Sequence, residues 1–446
     1  MAKLFGTDGA RGVANTELTC DIAFKLGQAA VEFLGKTIVV GKDTRLSGDM
    51  LECALNAGIM SRGGTVLTAG IIPTPGVAYL TRELCADGGV VISASHNPPE
   101  YNGIKFFDNQ GFKLPDNVEE ALEAFVEAGG TPADQLPAGD EVGVIVPVEN
   151  ACELYINYAV SLVQDEDVSF EGLKVALDTG HGAASLTTAH ALEELGAEVI
   201  AINDDFTGTD INVKCGSTHL EPLKNLMAVT GAHVGIAHDG DADRVMFVDE
   251  QGNEIDGDVV EAVCALDLKE RGLLPGNTVV STVMCNLGFT KAMREADIDV
   301  IQTQVGDRYV LQQLREGGYV LGGEQSGHMI FLKHNSTGDG LITACQFLSA
   351  CLRKGGVVSE AASIMQRFPQ ELINVKVTDK HAVTDNQAVA SAIAQAEGEL
   401  GVDGRILVRP SGTEPLVRVM VEAPTHEAAH AVAQQVAQVI ESELGS

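Results

Sequence analysis

In HVGIAHDGDADRVMFVDE (233–250) three aspartates, Asp239, Asp241 and Asp243, alternate along the chain. A spacing of two in extended backbone throws side chains to one side, so the three carboxylates are expected to converge. Carboxylates gathered this way repel unless a cation joins them, and an all-oxygen donor set selects a hard ion, Mg²⁺ or Ca²⁺. An EF-hand loop would also have Asp at positions 1, 3 and 5 and a Glu, here Glu250, at position 12. That loop needs glycine at position 6, where Arg244 stands, and helical flanks, whereas VGIA and VMFV read as strands. The bland alternative, a solvated acidic turn, sits poorly between two apolar strands.

A second stretch, ISASHNPPEYNGIKFF (92–107), sets Ser95 between the apolar run GGVVISA and a His-Asn-Pro-Pro stop. The β-branched run suits a covered strand, and Pro98 and Pro99 force that strand to end near Ser95. Strand ends facing a crevice are where open α/β folds place their chemistry. Ser95 is not in a G-x-S-x-G elbow, and no hydrolase triad order accompanies it. Metal binding and covalent phosphoryl carriage remain as uses for the serine, with Lys105 supplying positive charge or a proton relay. The alternative is that Ser95 and His96 only shape a turn before the prolines.

GRILVRPSGTEPLVRVMVE (404–422) brings Arg409, Ser411, Gly412, Thr413 and Arg418 around one turn. Forked guanidiniums, hydroxyls and exposed N–H groups match a phosphate, although the stretch is not a P-loop. The alternative is a hairpin with exposed arginines. In GYVLGGEQSGHMIFLKHNSTGDG (318–340), Glu324, Ser326 and His328 follow a Gly-Gly break, and such groups suit the hydroxyls or amine of a sugar. By spacing alone His328 is as readily structural as functional. FGTDGARG and GKDTRLSG offer flexible turns with Arg11 and Arg45, each weak by itself.

Groups this far apart in sequence need a scaffold to bring them together. KTIVVGKDTRLSG leads into helical DMLECALNAGIM, LKVALDTGHGAAS into LTTAHALEELG and the strand AEVIAI, and NTVVSTVMCNLG into FTKAMREA and the strand IDVIQT. Each joins a β-branched run to a helix of 3.6-residue period, the βαβ signature of a mostly parallel sheet. After Arg367-Phe368-Pro369 the pattern changes to a helix around 385–399, the strands GRILVRPS and LVRVMVEA, and an amphipathic helix from Thr425. With turn-rich junctions at 128–140 and 249–258, the expected fold is α/β. Three successive mixed or parallel-sheet α/β domains (1–150, 151–253, 254–367) are followed by a smaller α+β C-terminal domain (368–446).

A chain of 446 residues, 45% of them hydrophobic, is too long for one core and suits about three or four soluble domains. Its net charge of −34 argues against nucleic acid. An anionic small molecule is still allowed, because screening over roughly 8 Å lets a few cleft arginines outweigh a distant acidic exterior. Nine cysteines without a CxxC pair are expected to be reduced thiols in a cytoplasm. No signal segment or membrane span is expected, since no run approaches roughly 20 apolar residues.

ISASHNP, DGDADR, GEQSGH and RPSGTEPLVRV, in this order and spacing, resemble the α-D-phosphohexomutases over essentially the whole chain. The resemblance implies four domains around a central cleft, carrying in turn the phosphoserine, metal, sugar and phosphate loops. It implies that Ser95 is phosphorylated and holds one Mg²⁺ per chain together with Asp239, Asp241 and Asp243. Catalytic or positioning roles fall on Arg11, His96, Lys105 and His328. Substrate contacts fall on Arg244, Asp307, Glu324, Gln325 and Ser326, and phosphate binding on Arg409, Ser411, Gly412, Thr413 and Arg418. The implied substrate is a hexosamine phosphate, glucosamine 6-phosphate converted to the 1-phosphate through glucosamine 1,6-bisphosphate, on the route to UDP-N-acetylglucosamine. Gln325, INVKCGSTH (211–219) and VGDRYV (305–310) favour the amino sugar; the alternative is a mannose or glucose phosphate with the same mechanism. A homodimer is in keeping with the resemblance. Pro99, Tyr101 and Lys333 depart from the commonest pattern beside the motifs and bear on fine specificity.

Overall fold

The computed structural model describes residues 4–6, 9–166, 168–411 and 415–445. Within these residues the strands form four sheets. The first contains β1 (Phe5–Gly6), β2 (Gly9–Val13), β3 (Thr37–Lys42), β4 (Thr65–Ile71), β5 (Gly88–Ile92), β6 (Tyr101–Asp108) and β7 (Ile145–Pro147), in the order β1-β2-β6-β5-β3-β4-β7. The second contains β8 (Lys174–Asp178), β9 (Glu198–Ile202), β10 (Val234–His238), β11 (Val245–Asp249) and β12 (Glu254–Ile255), in the order β12-β11-β10-β8-β9. The third contains β13 (Thr278–Thr282), β14 (Asp299–Thr303), β15 (Leu321–Gly323) and β16 (Met329–Phe331), in the order β14-β13-β15-β16.

Each of these sheets is mixed, as the sequence predicts. Its parallel pairs, such as β3 with β5, β8 with β10 and β13 with β14, lie beside an antiparallel partner. Every residue of β5, β10 and β13 is buried, which is why these strands read as continuous apolar or β-branched runs rather than as alternation. The loops after β5 and β10, and between β15 and β16, carry the chemistry-bearing motifs.

The fourth sheet is antiparallel, with β17 (Gln370–Lys376), β18 (Arg405–Pro410) and β19 (Leu416–Glu422) in the order β17-β19-β18. Val417, Val419 and Val421 repeat every second residue on β19, while Ala429, Ala433, Val436 and Ile440 repeat at helical spacing on His426–Leu444. Those two periods bury one apolar face against the other. Thr425 caps this helix, accepting from the Ala428 N–H at 3.2 Å.

By compactness the chain divides into two units, residues 1–284 with 297–364, and 285–296 with 365–446. The helix Leu287–Glu295, which the βαβ reading attaches to the third sheet, belongs to the second unit. The reason lies at its N-terminus: the Glu422 carboxylate accepts from Leu287 N–H at 2.8 Å and from Asn286 Nδ2 at 3.2 Å. A buried carboxylate there meets the positive end of the helix dipole. All nine cysteines are free, and no helix among the described residues is long and apolar enough to cross a membrane.

One buried acid ties the stability of the first unit to pH. Glu261, on helix Gly257–Glu270, is fully buried beside Asp258, and burial followed by that neighbouring charge pushes its pKa well above the carboxylate range. A raised folded-state pKa means stability is full below the unfolded value and is lost as pH rises toward the folded one. Glu261→Gln removes this loss. It is expected to gain on the wild type by up to about 1.4 kcal/mol per pH unit between the ordinary carboxyl value and the raised folded one. Urea midpoints at several pH values measure the gain, and parallel profiles for the two proteins would contradict it.

Candidate active site

Ser95 lies three residues beyond the end of β5, fully buried, with a left-handed backbone at φ 50°. A non-glycine residue keeps that conformation only where its surroundings impose it. Its N–H donates to Ser93 Oγ at 2.9 Å, and its hydroxyl donates to Asp239 Oδ2 at 2.6 Å, across from the first sheet to the second. His96 Nδ1 is 3.4 Å from the same hydroxyl.

Asp239, Asp241 and Asp243 occupy the loop between β10 and β11. They converge, but not by alternation in extended chain. The loop is a tight turn with Ala242 left-handed at φ 53° and its N–H bonded to Asp239 O at 3.1 Å. The turn still brings a carboxylate oxygen from each within 4.8 Å of the others, all three residues being buried. Asp241 Oδ1 and Asp243 Oδ1 are buried without a hydrogen-bond partner among the described residues. Buried carboxylate oxygens this close together fit a hard divalent cation, and an all-oxygen donor set disfavours the softer metals.

The titration of the group follows the same logic. Burial, then repulsion from Asp243 and Asp241, raises the pKa of Asp239 well above its usual value. Burial acts on Asp243 too, yet Lys105 and His328 outweigh it and hold this carboxyl far below the usual range.

Cationic and polar side chains surround the acids. Lys105, on β6 and 2% exposed, reaches Asp241 Oδ2 at 2.9 Å and Asp243 Oδ2 at 3.6 Å. Breaking such a buried pair costs about 3–5 kcal/mol, so Lys105 supports the fold as well as the charge balance. Thr74 Oγ1 donates to Asp241 Oδ2 at 2.7 Å. Arg244 Nη1 lies 3.1 Å from His96 Nδ1 and its Nε 3.8 Å from Asp243. Burial, then the charges of Arg244 and Arg11, pushes the His96 pKa down to about 4, so the ring is neutral and its Nδ1 accepts from Arg244. Arg11, on β2, reaches Asn97 Oδ1 at 3.4 Å.

The loop 324–328 approaches from the third sheet. His328 is buried, with Nδ1 at 3.7 Å from Asp243 and Nε2 at 3.5 Å from Asp307. Burial opposes its protonation, but Asp243 and then Asp307 raise its pKa overall. Asp307 also pairs with Lys113 of the first domain, and Glu324 accepts from Gly306 N–H at 3.1 Å. Ser326 is exposed. The Gln325 amide turns to Asp256 (3.3 Å) and Asp258 (3.2 Å) at the first turn of helix Gly257–Glu270. Gly257 is required beneath it, because a Cβ there would meet Glu324 O at 2.1 Å.

In the second unit, Arg409 and Arg418 stand directly opposite on β18 and β19. Like charges so placed repel; burial, then Arg418, lowers the Arg409 pKa. An anion shared by the two would relieve that repulsion. Ser411 is buried, its N–H bonded to Leu416 O at 2.8 Å. Gly412 and Thr413 lie outside the described residues. Lys380, whose ammonium donates to Ser411 O at 2.6 Å, was not signalled by any motif. Nor were Thr74 and Lys113, each of which acts on an acid more than 160 residues away (167 and 194).

A hydroxyl held against a hard-ion cradle, with lysine and arginine beside it, is equipment for phosphoryl transfer. Family models for phosphoglucomutase/phosphomannomutase match the chain from end to end: alpha/beta/alpha domain I over 2–132, domain II over 153–252, domain III over 256–368 and the C-terminal domain over 372–439. The chain belongs to this family. It is 52% identical to the phosphoglucosamine mutase of Carboxydothermus hydrogenoformans over 446 residues, covering 99% of this chain and all of that one. A phosphoglucomutase/phosphomannomutase family protein from Burkholderia thailandensis, 25% identical, superposes with TM-score 0.82 over 99% of this chain and 97% of its own. An N-acetylphosphoglucosamine mutase from Aspergillus fumigatus, solved with GlcNAc-6P and magnesium, shares the fold at TM-score 0.72 and 16% identity, covering 98% and 95%.

Proposed function

We propose that the protein interconverts glucosamine 6-phosphate and glucosamine 1-phosphate in the cytoplasm, toward UDP-N-acetylglucosamine. Ser95 carries the phosphoryl group, and glucosamine 1,6-bisphosphate is the intermediate. What carries the reading is the 2.6 Å contact of Ser95 Oγ with Asp239, in a chain 52% identical along its length to a phosphoglucosamine mutase.

Phosphoserine gives up its phosphoryl group as the P–Oγ bond breaks and a bond forms to the sugar O1. O1 loses its proton and the departing Ser95 Oγ takes one up, so the proton count of the protein is unchanged, with acid–base and positioning roles falling to Arg11, Lys105 and His328. The bisphosphate then presents its 6-phosphate, the P–O6 bond breaks, Ser95 is rephosphorylated, and O6 regains a proton. Ser95, Asp239, Asp241 and Asp243 would hold one Mg²⁺, which would supply a Lewis acid for charge on the transferring group. Lys105 and Arg244 add positive charge at the same place, and neutral His96 orients Arg244. Glu324, Gln325, Ser326 and Asp307 address the sugar. Arg409, Ser411, Gly412, Thr413 and Arg418 hold the phosphate that is not reacting, so binding energy from a non-reacting group serves both halves of the reaction.

Comparing kcat/KM for glucosamine 6-phosphate with glucose and mannose 6-phosphates tests the substrate. The amino sugar is expected to lead by at least about 100-fold, within what a polar site can discriminate. Equal or faster turnover of mannose or glucose 6-phosphate would assign the chain to phosphomannomutase/phosphoglucomutase activity instead.

A further inference from the structure

Arg45 is a guanidinium wholly sequestered from solvent. An arginine has five N–H donors, and here each one has a protein partner. Nε donates to Asp43 Oδ2 at 2.9 Å, Nη2 to the carbonyls of Ser95 and Asn97, both at 2.8 Å, and Nη1 to those of Tyr101, at 3.0 Å, and Pro98. Four main-chain carbonyls between residues 95 and 101 therefore end on a single side chain. Nothing is left to bind a ligand, so the group does not touch substrate.

The same loop is held from the second sheet's side. Asn212, in the INVKCGSTH stretch, donates through Nδ2 to Ser95 O at 2.9 Å and to Asn97 O at 3.2 Å. The two carbonyls bound by Arg45 Nη2 are thus each bound twice, once from the loop after β3 and once from the connection between β9 and β10. Asp43 completes the frame. It accepts from Ser93 Oγ at 2.6 Å, and Ser93 Oγ in turn accepts from the Ser95 N–H at 2.9 Å. Both peptide groups flanking Ser95 are fixed, one by Ser93 and one by Arg45 with Asn212. The residue between them is the one with the left-handed backbone.

We infer that Arg45 and Asn212 are positioning residues that impose this backbone on Ser95 and so aim its Oγ at the acid cluster and the reacting phosphorus. The inference rests on Ser95 being the phosphoryl carrier. Because the two donors come from loops of two different domains, the aim of the serine also depends on how those loops are seated against each other, which neither alone would secure.

Asn212→Ala and Arg45→Lys test this with three readouts: steady-state kinetics, thermal unfolding, and the rate at which glucosamine 1,6-bisphosphate phosphorylates Ser95, followed by mass spectrometry. Misaiming a reacting atom by about 1 Å costs on the order of 100-fold. The expected result is a kcat and a phosphorylation rate lowered by about that factor in Arg45→Lys, and by about tenfold in Asn212→Ala. KM should stay within about twofold in both, because no substrate contact is lost. Asn212, half-buried and uncharged, keeps the test open if Arg45→Lys fails to fold. Folded variants with wild-type kcat, or a kcat loss matched by an equal fall in thermal stability, would overturn the inference while leaving the carrier intact. A wild type that turns over with no phosphate ever found on Ser95 would overturn the carrier and this inference together.

Discussion

Ser95→Ala is expected to lower kcat for glucosamine 6-phosphate by about 10⁴- to 10⁶-fold, the scale on which losing a covalent nucleophile is felt. The fold should survive the change. Alanine keeps the Cβ and tolerates the left-handed backbone no worse than serine, and the surrounding frame of Arg45, Asn212 and Ser93 bonds only to main-chain atoms of residue 95. What is lost is the hydroxyl that donates to Asp239, whose raised pKa already favours a proton in its place. Substrate affinity should change little, because the proposed phosphate and sugar contacts lie on other loops. Kinetics and equilibrium binding on the same preparation decide. A variant that binds the sugar phosphate but turns over within tenfold of the wild type would remove Ser95 from the chemistry.

The second large effect concerns the acid cluster. Exhaustive chelation is expected to abolish turnover, and added Mg²⁺ to restore it. The same addition should raise the melting temperature of the apoprotein, since a ligand at 100 times its Kd stabilises by about 2.7 kcal/mol. Asp241→Asn separates the two roles of this carboxylate. Thr74 and Lys105 still meet an oxygen at that position, so the apoprotein should remain folded while its melting temperature stops responding to Mg²⁺. The pH dependence has a definite sign. Metal must displace the proton that Asp239 holds unusually tightly, so affinity should fall as pH drops. Full activity after chelation, or a Mg²⁺ shift undiminished in Asp241→Asn, would contradict the assignment.

Much of this was readable in the sequence because the informative spacings are local. DGDADR announces three carboxylates within five residues, and the apolar runs on either side announce the strands that bury them. The shape of the turn was not readable: convergence depends on Ala242 adopting a left-handed backbone, which nothing in its chemistry requests. Paired motifs on β18 and β19 likewise showed two arginines near one turn, and antiparallel register then set them face to face. Long-range bonds left no trace. Arg45 and Ser95 are 50 residues apart, Asn212 and Ser95 117, and only the folded sheets reveal that a side chain in a weak GKDTRLSG turn serves the serine. The helix Leu287–Glu295 does link the parallel strands β13 and β14, as the sequence predicts, but the partner of its N-terminus was hidden for a similar reason. Its βαβ position is local information, while the carboxylate that receives its N-terminus arrives 135 residues later.

The carrier role of Ser95 is the central claim, and intact mass with peptide mapping tests it most directly. The purified protein is measured before and after glucosamine 1,6-bisphosphate, and again after excess glucosamine 6-phosphate. One phosphate on the peptide containing Ser95, gained from the bisphosphate and lost to the monophosphate, is the predicted result. A protein that interconverts the two sugar phosphates while that peptide stays unmodified under every priming condition would contradict it.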